Sequence, residues 1–194
     1  MAVPDKTGLG QAPSSAKGAS LANGLDSEAV VAPVDGLVGG RFAGREAFQQ
    51  TVRAVLSQAA AEGWPEIILS DADFEDWPLG EAAVAQSLNT WAKSGRRLIL
   101  LAHSFTAIQN RHFRFVRWRQ TWDHIIDCRR CKAGESTALP SAIWTPVWLM
   151  HRLEGDRIQG VLSNEPSRRF QLRETLTECM KRSAPGFPAS TLGL

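Results

Sequence analysis

The sequence predicts an α/β fold, a mixed sheet flanked by helices behind a disordered N-terminal tail, on three observations. Amphipathic segments alternate with short runs of apolar, β-branched residues in the order helix, strand, helix, strand, which makes neighbouring strands parallel. Two later apolar runs, Ala142 to Leu153 and Arg157 to Ser163, bracket Gly155-Asp156, a two-residue turn signal, and add an antiparallel hairpin. The first 40 residues differ in texture: they hold seven of the sixteen Gly, with seven Ala, four Ser and three Pro, and the first aromatic is Phe42. Such a segment cannot bury enough apolar area to offset its conformational entropy. The expected organisation is a disordered tail over 1–40, a domain over 41–184 and an extended C-terminal tail over 185–194.

Element by element, Phe48, Val52, Val55, Leu56 and Ala59 recur at spacings of three and four, so Arg45 to Glu62 reads as an amphipathic helix ending at Gly63-Trp64-Pro65. Glu66 to Ser70 (EIILS) is a buried strand. Pro78 fits a helix first turn, and Val84, Leu88 and Trp91 carry its apolar face to Ser94-Gly95. Arg97 to Ala102 (RLILLA) is a second buried strand. Thr106 to Gln120 reads as one helix, with Ile108, Phe115, Trp118 and Trp122 on a common face. A short strand follows at His124 to Asp127, then a loop over 132–141 (KAGESTALPS), then the hairpin. A last helix starts near Pro166, capped by Ser163 or Asn164, and runs to Ser183.

Charge excludes some classes and raises others. The total is only +2, far from the excess of a chain built around nucleic acid. Its distribution is lopsided: Ala54 to Ala92 holds seven acids and no Lys or Arg, whereas Lys93 to Lys132 holds ten bases and two acids. A −7 block is followed by a +8 block. The longest uncharged apolar stretch, Ser136 to Met150, has 15 residues interrupted by Pro140 and Pro146, too short to span a bilayer. The first thirty residues lack an apolar h-region, and three cysteines make no disulfide scaffold, so no membrane association and a cytoplasmic setting are expected.

Four motifs carry chemistry. Asp71 and Asp73 come directly after a buried strand, where ligands of open α/β sheets gather, and could hold a divalent metal or supply a nucleophile; alternatively the acids here cap the helix at Pro78. Arg111 to Lys132 interleaves seven bases with Trp118 and Trp122, a pattern that suits phosphate contacts plus base stacking through Arg111, Arg114, Arg117 and Arg119, unless the acidic block neutralises it. Cys128-Arg-Arg-Cys131 is half a zinc site that His124 with Cys179 or His151 could complete, or a redox pair, or two free thiols. Arg168 and Arg169 stand in a helix first turn, where cations oppose the macrodipole, so a phosphate or an internal partner such as Glu165 is expected beside them.

The hairpin and the turn after it resemble a phospholipase D-like domain. That family has a helix, strand, helix, strand opening, a hairpin carrying His-x-Lys-x4-Asp, and Gly-Ser-x-Asn at the next strand end. Here His151 is similarly set on the hairpin, and Gly160-Val-Leu-Ser163-Asn164 resembles the Gly-Ser-x-Asn segment. The Asp76 to Gly80 and Trp118 to His124 stretches further resemble bacterial proteins regarded as degenerate relatives of that superfamily. The resemblance implies a phospholipase D-like half and a surface that binds phosphate, including Ser163 and Asn164. Leu153 stands where the family has Lys and Ile158 where it has Asp, and a phosphohistidine mechanism needs both. The family's active site uses two such segments, so a competent site would need a homodimer. Asp71-x-Asp73 is also similar to the motif of haloacid-dehalogenase-like phosphatases, with Phe74-Glu75 displacing the Thr or Val that such a motif carries after its second Asp. The expectation is a non-catalytic module binding a phosphate-bearing ligand such as nucleic acid, with no cofactor. A phosphodiesterase using His151 or Asp71 and Asp73, and an interaction protein using PGFPASTLGL, are the competing classes.

Overall fold

A computed structural model describes residues 37, 39–94, 96–132, 139–153 and 158–189. The N-terminal tail up to 36 and the Gly155-Asp156 turn lie outside the described residues. Eight strands form one mixed sheet in the order β1-β7-β6-β5-β2-β3-β4-β8. Its centre is parallel: β2 (Glu66–Ser70), β3 (Arg97–Ala102) and β4 (Ile126–Arg130) run side by side. The antiparallel wing is β5 (Ala142–Trp144), β6 (Leu149–Arg152) and β7 (Gln159–Ser163), closed by β1 (Gly40–Ala43). The mixed α/β architecture expected from the sequence is the one observed.

Strand alternation divides the core into two layers. Ile67, Leu69, Leu98 and Leu100 face the larger one, with α1 (Arg45–Glu62), α2 (Ala82–Ala92), α3 (Thr106–Arg111) and α4 (Phe113–Thr121). Ile68, Ile99 and Leu101 face the smaller one, covered by Leu172, Leu176 and Cys179 of α5 (Pro166–Lys181). α1 keeps its expected bounds because Gly63, at φ 69°, takes the left-handed position and returns its N–H to the Ala59 carbonyl. No helix among the described residues is long and apolar enough to cross a membrane.

Five elements depart from expectation, each for a local reason. α2 begins at Ala82, because Pro78 to Glu81 closes a separate turn (Glu81 N–H to Pro78 O, 3.0 Å) that sends Leu79 into the core. The helix expected over Thr106 to Gln120 breaks at His112 (φ −109°, ψ 49°), whose ring is drawn away to the Phe74 carbonyl. The strand expected at His124 begins at Ile126, after a 3-10 turn over Asp123–Ile125. Ala142 to Leu153 is two strands, since the Thr145 hydroxyl donates to Trp148 O and accepts from Trp148 N–H, closing a turn around Pro146. α5 is preceded by Glu165; neither Ser163 nor Asn164 caps it, and it ends at Lys181.

Two short edges have no counterpart in the sequence patterns. β1 pairs with β7 and buries Phe42, whose ring lies where a side chain at residue 160 would go, so that position requires Gly. At the other edge Ala184–Pro185 forms β8 on β4, and Phe187 is buried against Phe105, their ring centres 5.4 Å apart. The segment from 185 to 189 therefore packs onto the domain.

Candidate functional site

The carboxyl ends of β2 and β6 open into a cleft of about 800 Å3. Its floor is the loop after β2. Asp71, 5% exposed, folds that loop: its Oδ1 accepts from the N–H groups of Asp73 (3.1 Å) and Phe74 (2.9 Å), and its Oδ2 accepts from the Ser141 hydroxyl. Asp73 Oδ1 in turn accepts from Glu75 N–H at 2.9 Å. These are Asx-type turns, and they hold Phe74 at φ 63°, a left-handed conformation rare for a bulky residue. The wall beyond β5, on the β6 side, is basic. Arg45, in the first turn of α1, and Arg152, at the end of β6, donate to different oxygens of Asp76. Arg152 also lies 5.6 Å from the centre of the Phe48 ring. His151 lines the cleft between the two walls.

His151 of β6 and Asp71, which follows β2, line one cleft although β5 stands between their strands, but Ser163 does not join them. Ser163 pairs with Leu149 in the ladder, two residues from the His151–Val161 pair, and its hydroxyl accepts from Glu165 N–H. Asn164 is exposed beyond it. Among the described residues no group of three or more His, Cys, Asp or Glu side chains is placed to hold a metal ion.

The arginines divide sharply. Between Thr106 and Thr121 there is no acidic residue, and Arg114 and Arg117 lie exposed on α4. Phe113, 55% exposed, sits beside them with the Arg114 guanidinium 4.7 Å from its ring centre. Arg114 also donates to Gly80 O (2.9 Å), and Arg111 pairs with Glu75. Arg119 departs from the expected role. It is 6% exposed, donates to Cys128 Sγ (3.2 Å) and lies 4.6 Å from the Phe187 ring centre, so it faces the interior. The helical period puts it one position beyond Trp118, on the side that Phe187 covers. Arg168 bonds Glu165 at 2.9 Å, the internal partner expected as its alternative, and the carbonyl of Arg169 accepts from Trp144 Nε1.

Cys128, Cys131 and Cys179 are all buried thiols. The CxxC pair cannot act as one site, because Cys128 faces the larger core and Cys131 the smaller one, on opposite sides of the sheet. His124 sits on the 3-10 turn before β4. Burial pushes the Cys128 thiol above its ordinary range, outweighing the Arg119 guanidinium beside it.

Among solved structures the chain is similar to TrmBL2, an archaeal chromatin protein described as showing a novel mode of DNA binding, at 11% identity and TM-score 0.57, over 77% of this chain and 54% of that one. It is also similar to NucT from Helicobacter pylori, at 7% identity and TM-score 0.53, over 76% of this chain and 98% of that one. The fold is phospholipase D-like. This chain spans about half the length of TrmBL2, and at these identities the likeness concerns the fold. No family model and no curated protein matches the sequence. Within the phospholipase D-like fold, two cleft residues escape sequence reasoning. Arg45 and Arg152 stand in a helix first turn and beside His151, and only their common partner Asp76, in the acidic block, signals that they converge.

Proposed function

We propose that this protein is a non-catalytic phospholipase D-like module that binds a phosphate-bearing polymer, nucleic acid, on the α3–α4 face. The observation that carries this reading is the exposed Phe113 ring with Arg114 stacked on it and Arg111 and Arg117 nearby, on two helices that hold no acidic residue and meet Glu75 of the β2 loop only at Arg111. Cations there contact phosphates, and an exposed aromatic offers a stacking platform for an unpaired base. Absence of turnover is supported by Leu153 and Ile158 at the positions expected to carry Lys and Asp, by Asp71 being committed to its own loop, and by Ser163 lying off the cleft.

The test is fluorescence anisotropy with single-stranded and duplex oligonucleotides across a salt series. Three phosphate contacts on a single strand give a log–log salt slope of about −2. Arg114→Ala and Arg117→Ala each remove about 0.7 from it, whereas Phe113→Ala weakens single-strand binding by about 1–3 kcal/mol and leaves the slope intact. Binding that is absent at low salt, or indifferent to all three substitutions, overturns the proposal. A generic phosphodiester incubated with the protein, with and without Mg²⁺, should stay intact; hydrolysis lost in His151→Ala would make the protein an enzyme instead.

A further inference from the structure

The two walls of the cleft carry opposite charges that cancel only in part, where Asp76 of the acidic loop meets Arg45 and Arg152. On one wall Arg45 and Arg152 share the single carboxylate of Asp76, which leaves one positive charge over. Each guanidinium has five N–H donors, and Asp76 engages only one nitrogen of each. On the other wall Asp71 and Asp73 accept from neutral donors alone, and among the described residues neither forms a salt bridge. The remaining lining acid, Glu75, is taken by Arg111. An anion attracted by Arg45 and Arg152 is repelled by Asp71 and Asp73, and a simple cation meets the reverse conflict. A molecule with a carboxylate at one end and ammonium groups at the other satisfies both walls. Among the described lining residues, and with Glu75 paired to Arg111, Asp71, Asp73 and Asp76 outnumber the two guanidiniums by one, so the favoured molecule carries a net positive charge. A cleft of this size admits a small molecule.

We infer that this cleft binds a small zwitterion of the basic amino-acid class, its carboxylate on Arg45 and Arg152 and its ammonium groups towards Asp73. Asp76 positions the two arginines, and Asp71 shapes the acidic wall and adds its field without direct contact. This site meets the α3–α4 face at Glu75, which lines the cleft and pairs with Arg111, but none of the residues assigned to the zwitterion belongs to that face.

The experiment is calorimetric titration of the full chain with L-lysine and, separately, with inorganic phosphate. L-lysine binds and phosphate does not. Arg45→Ala, at a side chain 63% exposed and so tolerated by the fold, raises the Kd for lysine about tenfold, equivalent to about 1.4 kcal/mol. Asp73→Asn does the same from the opposite wall. Lys93→Ala, exposed after α2, leaves the Kd unchanged. No lysine binding, lysine binding indifferent to Arg45→Ala and Asp73→Asn, or phosphate binding as tight as that of lysine overturns the inference; the last result would make the cleft a plain anion site.

Discussion

His112 joins three parts of the molecule through one ring. Its Nε2 lies 3.0 Å from the Phe74 carbonyl, and because a carbonyl only accepts, that nitrogen carries the proton. Nδ1 faces Gly80, where an added Cβ would sit 3.2 Å from it and 3.0 Å from the Arg111 carbonyl, so the loop and the helix break approach each other only because residue 80 is Gly. Burial holds the imidazole pKa below its ordinary 6.5; the Phe74 carbonyl pulls the other way, and Arg111 adds to the lowering. With the folded value depressed, the unfolded chain takes up a proton first as pH falls. Stability is therefore flat above about pH 7 and declines from about 6.5 downwards, until the folded ring also protonates. Urea denaturation midpoints between pH 5 and 8 should show this decline, and His112→Gln, which keeps a donor for Phe74 O, should flatten it. In the sequence His112 is one more residue inside a helical pattern. Nothing local announces that its ring leaves the helix for a loop 38 residues earlier.

Among elements, the edge strand β8 has the smallest ladder and the densest anchoring around it. It pairs two residues with β4, yet Gly186 N–H reaches Cys128 O (2.8 Å), Arg129 grips Ser183 through its hydroxyl and carbonyl, and Phe187 fills the space between Phe105 and Arg119. Phe187→Ala should cost about 3 kcal/mol, read as a lower urea midpoint. It should also speed proteolysis after Arg182, because without the anchor the two-residue ladder cannot hold the segment. PGFPASTLGL reads as a free tail since it lacks strand periodicity; a single aromatic at φ 46° supplies the anchor, and such a conformation leaves no trace in composition. α1, β2 and β3 are legible to the residue because their apolar periods agree with their burial and Gly63 marks a stop. The α2 start is not, since Pro78 serves a turn as well as it would a helix. Nor are β5 and β6, where a side-chain hydroxyl at Thr145 makes the bend.

For the whole molecule, the partition into acidic and basic blocks resolves mostly into pairings with neither block. Asp76 is met by Arg45 and Arg152 and Glu81 by Arg53, all outside the basic stretch; Glu66 meets Arg173 of α5, and Arg97 only at 3.9 Å. Arg53 also holds the Glu81 carboxyl below the usual carboxylate range. Among the described residues, Glu75 is the one acid of the block that forms an ion pair with an arginine of α3 or α4, Arg111, and both partners are largely exposed. Glu75→Gln should therefore raise oligonucleotide affinity a few-fold in the anisotropy assay, by releasing Arg111 and removing a repulsive charge. Its effect on stability should stay within about 0.5 kcal/mol in urea titrations. Charge counting places a basic surface at 111–119, and three of its four arginines do stand on the outside; the fourth turns inward under a strand that periodicity does not reveal.

The three buried thiols are divided by the same sheet, with a practical consequence. Cys128 lies under the four-helix layer, while Cys131 lies in the layer under α5 and Cys179 on the inner face of α5 itself, so each layer carries its own chemical reporter. Alkylation rates tracked site by site by mass spectrometry would show whether the two sides of the sheet open together or one at a time, with no label introduced.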